Sequence, residues 1–257
     1  MKIRRFPFAF VFLFVLLTLS FIDNFRRSSE EKLNVFLTFK DSDIPIVAIN
    51  TDAQKPIKSK ENYRRCDVFF VEDFEEVLFS ANFKDESTGY RAYIDFDSFV
   101  DWYIVNEFTK NHDAWFQDSC FLFYSSADKK IHMGPIWDFD ISCGNNKNEC
   151  ADPTGFFIQS RHWFKRLWED EFFREKVAER WKKCSPQVWE SFDWIEEQAN
   201  FLEDDANFDD KIWQRFGYRQ WPNAPGYKER KTYRAEVDYM LNWLKTRAQW
   251  LDNEWGF

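Results

Sequence analysis

Glycine and proline are scarce in this 257-residue chain, at seven and eight residues. That excludes a collagen-like or low-complexity sequence. The glycines stand at positions 89, 134, 144, 155, 217, 226 and 256, so no Gly-rich loop exists to wrap phosphates in backbone N–H groups. There are three histidines, His112, His132 and His162, and five cysteines, Cys66, Cys120, Cys143, Cys150 and Cys184, without a C-x-x-C pair. A zinc site therefore lacks its usual ligand spacing. The odd cysteine count forbids full pairing within one chain. Cys143 and Cys150 lie close enough in a polar loop to bridge in an exported chain, although isolated buried thiols are the simpler expectation. A basic surplus is missing too: 35 Lys and Arg face 44 Asp and Glu, a net charge of −9. This argues against a general nucleic-acid binder, which needs cations on its binding face.

What the chain has in excess is aromatic residues, with 31 Phe, 13 Trp and 9 Tyr making 21% of it. Disordered chains are aromatic-poor, and the length suits one or two domains with a real core. The first residues carry Lys2, Arg4 and Arg5, followed by an apolar run over 6–22 broken only by Pro7, Thr18 and Ser20. This is the layout of an export signal. No small-residue cleavage site follows, so a cleaved signal peptide and an uncleaved anchor both fit residues 1–27. Either way the body is expected outside the cytoplasm, with membrane contact only through this segment.

Downstream, 35–39 and 44–51 read as short strands, the second an edge because of Pro45. A strand is expected over 67–71 and a helix over 73–81, then a polar turn at 84–89. Asp95 or Asp97 is a suitable N-cap for a helix running to Lys110. Apolar runs at 120–124 and 131–136 around a polar turn predict a β-hairpin. Beyond Thr154 the spacing is helical almost throughout, with a last helix over 227–250. Residues 28–88 thus form a small N-terminal segment, and 89–257 the main domain. The fold class is α+β: a small β-hairpin and a mainly helical, aromatic-rich C-terminal half. Trp163, Trp168, Trp181, Trp189 and Trp194 are expected in the core, though a sugar- or peptide-stacking platform is the sharper alternative. Phe108, Phe121, Phe123 and Trp137 are expected to pack behind the region described next. Acidic 203–205 and basic 228–231 read as solvated helix faces or ends.

Chemistry-bearing residues concentrate in 106–113, at a helix end, and in 134–140, at a strand end. The hairpin between them can return Asp113 beside Asp138 and Asp140. Three converging carboxylates repel unless a cation or protonation relieves them, and all-oxygen donors suit Mg²⁺, Mn²⁺ or Ca²⁺. Asp residues also commonly cap turns at element ends. The order helix, Asp, hairpin, Asp-Phe-Asp is, however, that of a protein-kinase catalytic loop and metal loop. His112 and His132 are read as hydrogen-bonding imidazoles beside this site.

Residues 89–146 resemble the CotH kinase family of atypical, spore-coat-associated kinases. The likeness rests on Gly89-Tyr90-Arg91-Ala92-Tyr93-Ile94-Asp95, on 105–113, and on Met133-Gly134-Pro135-Ile136-Trp137-Asp138-Phe139-Asp140. The stretch 44–63 and the helical tail to Trp250 are similar to the family's opening and C-terminal parts. The resemblance implies a protein-kinase-like C-lobe and ATP-dependent phosphorylation of Ser or Thr on a protein substrate. Asp113 would be the catalytic carboxylate, and Asp138 and Asp140 the metal and nucleotide-phosphate ligands. Asp118, five residues after Asp113, matches the place of a second-metal ligand, although a turn role before the strand is simpler.

One departure stands out. Family members place a nucleotide lobe with an Arg-Gly-Asn motif, a phosphate-binding Lys and a partner Glu before the Gly-Tyr-Arg segment. Here 64–87 fill that interval, and no Arg-Gly-Asn occurs. Phosphoryl transfer depends on positioning, so weak or absent kinase activity is expected. The alternatives are a noncatalytic cell-surface pseudokinase that binds protein or polysaccharide, and, with less support, a metal-dependent glycosyltransferase using Asp-Phe-Asp. No doubly wound βαβ pattern accompanies the latter.

Overall fold

The computed structural model describes residues 50–51, 66–67, 69–116, 119–125, 127–147 and 149–256, with side chains from Phe74 onward. The segment expected to direct export, the strand expected at 35–39, most of that at 44–51, and Asp118 lie outside the described residues. Among the described residues, no helix is long and apolar enough to cross a membrane.

The fold is α+β and mostly helical. Strands β1 (Asn50–Thr51) and β2 (Cys66–Asp67) form a two-residue antiparallel pair, and helix α1 (Phe69–Phe79) follows. The strand expected over 67–71 therefore ends at Asp67. Apolar residues at 70, 74, 77 and 78 recur at helical spacing, and Phe74 and Leu78 are fully buried. Phe74 meets Trp163 edge-on at 4.8 Å, and Trp163 Nε1 donates to Glu75 Oε1 at 2.7 Å. Packing on helix α3 (His162–Leu167) thus decides for helix over strand.

Helix α2 (Phe96–Thr109) begins where Asp95 accepts from the Ser98 N–H at 2.9 Å. It ends in a left-handed Lys110 at φ 45°. Ten of its fourteen residues are buried, so it is a central helix and not an amphipathic surface one. Strands β3 (Leu122–Ser125) and β4 (Lys130–Met133) form the expected hairpin, with Phe123 opposite His132. Asp95 N donates to Ile131 O at 2.8 Å, and Met133 N donates to Ser98 Oγ at 3.2 Å. The chain after the hairpin therefore runs along α2 from its start towards its end.

Two long helices close the structure. α4 (Glu171–Trp213) spans 43 residues, capped by Asp170, and contains Pro186 without ending there. α5 (Tyr233–Glu254) is capped by Thr232 and begins six residues later than the apolar spacing predicts, because 225–229 form a turn and 230–231 are irregular. Asp252 accepts from Trp181 Nε1, Ser185 Oγ and Trp189 Nε1, while Arg234 reaches Glu196 and Asn200. These ties set α5 antiparallel to 181–200 of α4.

The aromatic excess forms the core between these helices. Phe164 lies within 5.4 Å of Trp102 and Tyr103, and Trp255 contacts Tyr103, Phe156 and Trp181. Trp163 and Trp181 are buried, as the spacing suggests, and Trp168 and Trp194 pack against the core, whereas Trp189 is exposed. Phe108 is buried, but Phe121 and Trp137 are 47% and 60% exposed. Those two do not pack behind the carboxylates, because both lie on irregular chain flanking β3 and β4. Cys143, Cys150 and Cys184 are buried and unbridged. Burial pushes each thiol up to about 12.

A buried ion pair pins α5 to α2. Arg247 and Glu107 are both fully buried, and Arg247 Nη2 donates to Glu107 Oε1 at 2.8 Å. Arg247 also donates to Glu107 O, Pro153 O and Gly155 O, while Glu107 accepts from Phe157 N and Gln159 N. Lys110 Nζ donates to the carbonyls of Glu149, Asp152 and Thr154. Together the two cations shape the 149–155 loop by satisfying its inward carbonyls.

Candidate active site

The site forms where α2 stops. The left-handed turn at Lys110 sends 111–116 back across the helix end. Two backbone bonds stitch this loop and the end of α2 to the chain after Asp140: His112 N to Ile141 O at 3.0 Å, and Cys143 N to Thr109 O at 2.8 Å. Asn111, fully buried, donates through Nδ2 to Asn106 Oδ1 at 3.2 Å and to Trp137 O at 3.3 Å. Its Oδ1 accepts from Asp113 N at 3.3 Å. Asn111 thus ties the Asp113 loop and the Asp138 loop to α2.

These links bring Asp113, Asp138 and Asp140 together, with one carboxylate oxygen of each within 4.8 Å of the others. At that separation each pair of charges repels by about 1 to 3.5 kcal/mol for an effective dielectric between 80 and 20. The Asp140 carboxyl is raised above the ordinary carboxylate range, by burial first and then by Asp138 and Asp113. Asp138 has φ 63°, a left-handed backbone that Asp tolerates better than most residues, held at some cost in strain. Ser119 Oγ donates to Asp138 Oδ2 at 3.2 Å, Asn145 Nδ2 to Asp140 O at 2.8 Å, and Ser142 Oγ to Phe139 O at 2.5 Å. His112 Nδ1 lies 3.1 Å from Asp113 Oδ1, its ring stacked on Phe157. Among the described residues no Lys or Arg forms an ion pair with the three carboxylates. This all-oxygen anionic set fits a hard divalent cation.

A second group, Asp95, Asp128 and His132, also gathers within 4.8 Å. Its members already have partners. His132 Nε2 meets Asp128 Oδ2 at 2.8 Å, Asp95 caps α2, Asp128 accepts from Lys130 N, and Phe123 stacks on the imidazole at 4.9 Å. It ties the hairpin to the start of α2, which explains why His132 is a hydrogen-bonding residue away from the mouth.

Asn106, Asn111, Ser119 and Ser142 are the positioning residues that sequence reasoning did not single out. Asn106 and Asn111 sat inside the recognisable stretch, but only burial distinguishes them from ordinary polar loop residues.

Fold and site together define an α+β protein whose three-carboxylate mouth follows the kinase order of helix, Asp, hairpin and paired Asp. The family model for CotH kinase protein matches residues 40–251, so the chain belongs to the CotH kinase family and is a kinase-related protein. No curated protein matches it.

Proposed function

We propose that this chain is an exported or membrane-anchored CotH-type protein kinase that binds ATP through a divalent cation and transfers phosphate to protein Ser or Thr only weakly. The convergence of Asp113, Asp138 and Asp140 in a family member carries this reading. Asp138 and Asp140 would hold Mg²⁺ or Mn²⁺, with Ca²⁺ as an alternative, and by its spacing Asp118 would serve a second cation. A cation held there would supply charge neutralisation to the nucleotide phosphates. The strained Asp138 backbone, Ser119 and Asn111 hold the carboxylates ready before the ligand arrives. Asp113 would take or orient the acceptor hydroxyl proton. His112 engages one of its oxygens, leaving the other for the acceptor.

Low activity follows from the interval that precedes Gly89. Its described residues are β2, α1 and the turn after it, with α1 packed through Phe74 and Leu78 on the helical core. The sequence provides no Gly-rich loop or Arg-Gly-Asn motif to cover a nucleotide. The same observation supports the second reading, a noncatalytic surface pseudokinase that binds protein or polysaccharide. Calorimetry with ATP, with and without Mn²⁺, on the native chain and on Asp138→Ala tests the first reading. Cation-dependent binding lost in Asp138→Ala is the expected result; equally negligible binding by both removes it. Phosphate transfer to a generic protein acceptor separates the kinase from the pseudokinase.

A further inference from the structure

The far end of α4 carries a surface that the carboxylate mouth does not use. α5 begins beside Asn200, so 201–213 of α4 run about 20 Å past it at 1.5 Å per residue. Phe201, Phe208 and Ile212 there are 79%, 63% and 57% exposed. At 100° per residue they fall within about 40° of one another. Glu197, Asp204 and Asp205 are exposed and share this face. Neighbouring acids are already engaged: Glu196 pairs with Arg234, Asp209 with Arg215, and Asp210 accepts from Arg215 N and Phe216 N. Glu197, Asp204 and Asp205 form no ion pair among the described residues. Trp213, Tyr218 and Trp221, in the last turn and the loop beyond, are 63%, 59% and 75% exposed. Exposed apolar groups gathered like this and rimmed by charge mark an interaction surface.

We propose that this face docks a protein segment that alternates basic and apolar side chains, cations meeting Asp204, Asp205 and Glu197 and apolar groups covering Phe201, Phe208 and Ile212. Charge complementarity selects this occupant. A second copy would set the same acidic face against itself in a chain of net charge −9. The face also connects physically to the candidate active site. The α4–α5 loop leads to Arg230, which donates to Ala224 O and Pro225 O and lies 4.0 Å over the Tyr239 ring. The Tyr239 hydroxyl donates to Gly144 O, four residues past Asp140. That the docked segment belongs to the phosphoacceptor rests on the kinase reading above; docking itself does not.

The probe is a fluorescein-labelled synthetic Lys/Leu amphipathic peptide, compared with Glu/Leu and Lys/Ser counterparts. Fluorescence anisotropy is read on the full chain without nucleotide or cation, at ionic strengths of about 0.01 M and 0.15 M. The Lys/Leu peptide is expected to bind at least about tenfold tighter than either counterpart, and more weakly at the higher salt. Asp204→Lys combined with Asp205→Lys, and Phe201→Ser combined with Phe208→Ser, should each weaken it about tenfold. Both pairs are exposed, so melting temperatures should stay near native. Equal affinity for the three peptides overturns the proposal, as does indifference to either double substitution. Self-association of the native chain by sedimentation that Phe201→Ser with Phe208→Ser abolishes also overturns it. Because no nucleotide is present, failure of the kinase reading leaves this result untouched.

Discussion

Replacing Arg247 with Met tests the dry ion pair that joins α5 to α2. The guanidinium makes four hydrogen bonds, of 2.7 to 3.0 Å, to Glu107 Oε1, Glu107 O, Pro153 O and Gly155 O. Both partners are fully buried. Burial outweighs the pull of Glu107 and lowers the Arg247 pKa, which is the signature of a desolvated cation. Met fills similar volume but leaves the Glu107 carboxylate with only its bonds from Phe157 N and Gln159 N. Breaking a buried pair in this way costs about 3 to 5 kcal/mol. At about 2 to 4 °C per kcal/mol for a chain of this size, melting should fall by about 6 to 20 °C. Circular dichroism melts and urea titrations measure this, and the loss should not shrink at high salt because the pair is dry. Adding Glu107→Leu removes the stranded charge, so the double variant should be at least about 2 kcal/mol more stable than the sum of the singles predicts. A drop below about 2 °C, or additive singles, would refute the reasoning.

In metal-free protein, Asp140→Asn should raise the melting temperature at neutral pH. The raised Asp140 pKa means the folded state binds more protons than the unfolded state between the two pKa values, so stability falls as pH rises through that window. The Asn variant should lose that slope in melts taken from pH about 3 to 7, and agree with the native chain below the unfolded pKa. Excess Mn²⁺ should stabilise the native chain by about 2.7 kcal/mol at a hundredfold excess over Kd, and Asp140→Asn far less. Gly144→Ala should destabilise by more than about 1 kcal/mol. A Cβ there sits 2.6 Å from Trp243 Cδ1 on a backbone at φ 82°; an unchanged urea midpoint would contradict the contact. In a background with Cys66→Ser and Cys120→Ser, the buried Cys143, Cys150 and Cys184 should resist thiol reagents at pH 8 until urea unfolds the chain, since burial holds their thiols up at about 12. Rapid native labelling would argue against that burial.

The order of chemistry along the chain was legible from residue spacing. Asp95 as a cap, the hairpin, the helical half and the grouping of Asp113 with Asp138 and Asp140 follow from period, turn residues and the helix–Asp–hairpin sequence, all of which are local or nearly so. The run at 67–71 fits either period, and only the core beneath Phe74 and Leu78 chooses helix from Phe69 onward. Apolar spacing starts α5 six residues early, because a charged turn and a charged helix face look alike until Thr232 caps the helix. Phe121 and Trp137 are as aromatic as Phe108, and nothing local shows that they face water.

By itself the sequence determined which residue types are present and the period in which they recur. Hence it settled a helical aromatic core, a hairpin, an acidic mouth and the want of a phosphate-wrapping loop. Only the tertiary structure decided that Arg247 finds Glu107 across 140 positions, that Asn111 rather than another amide clasps the two Asp loops, and that Phe201, Phe208 and Ile212 stay uncovered. The physical reason is common to all three. Desolvation depends on what packs against a group from distant parts of the chain, and a side chain of given chemistry is core, clasp or docking surface according to that covering alone.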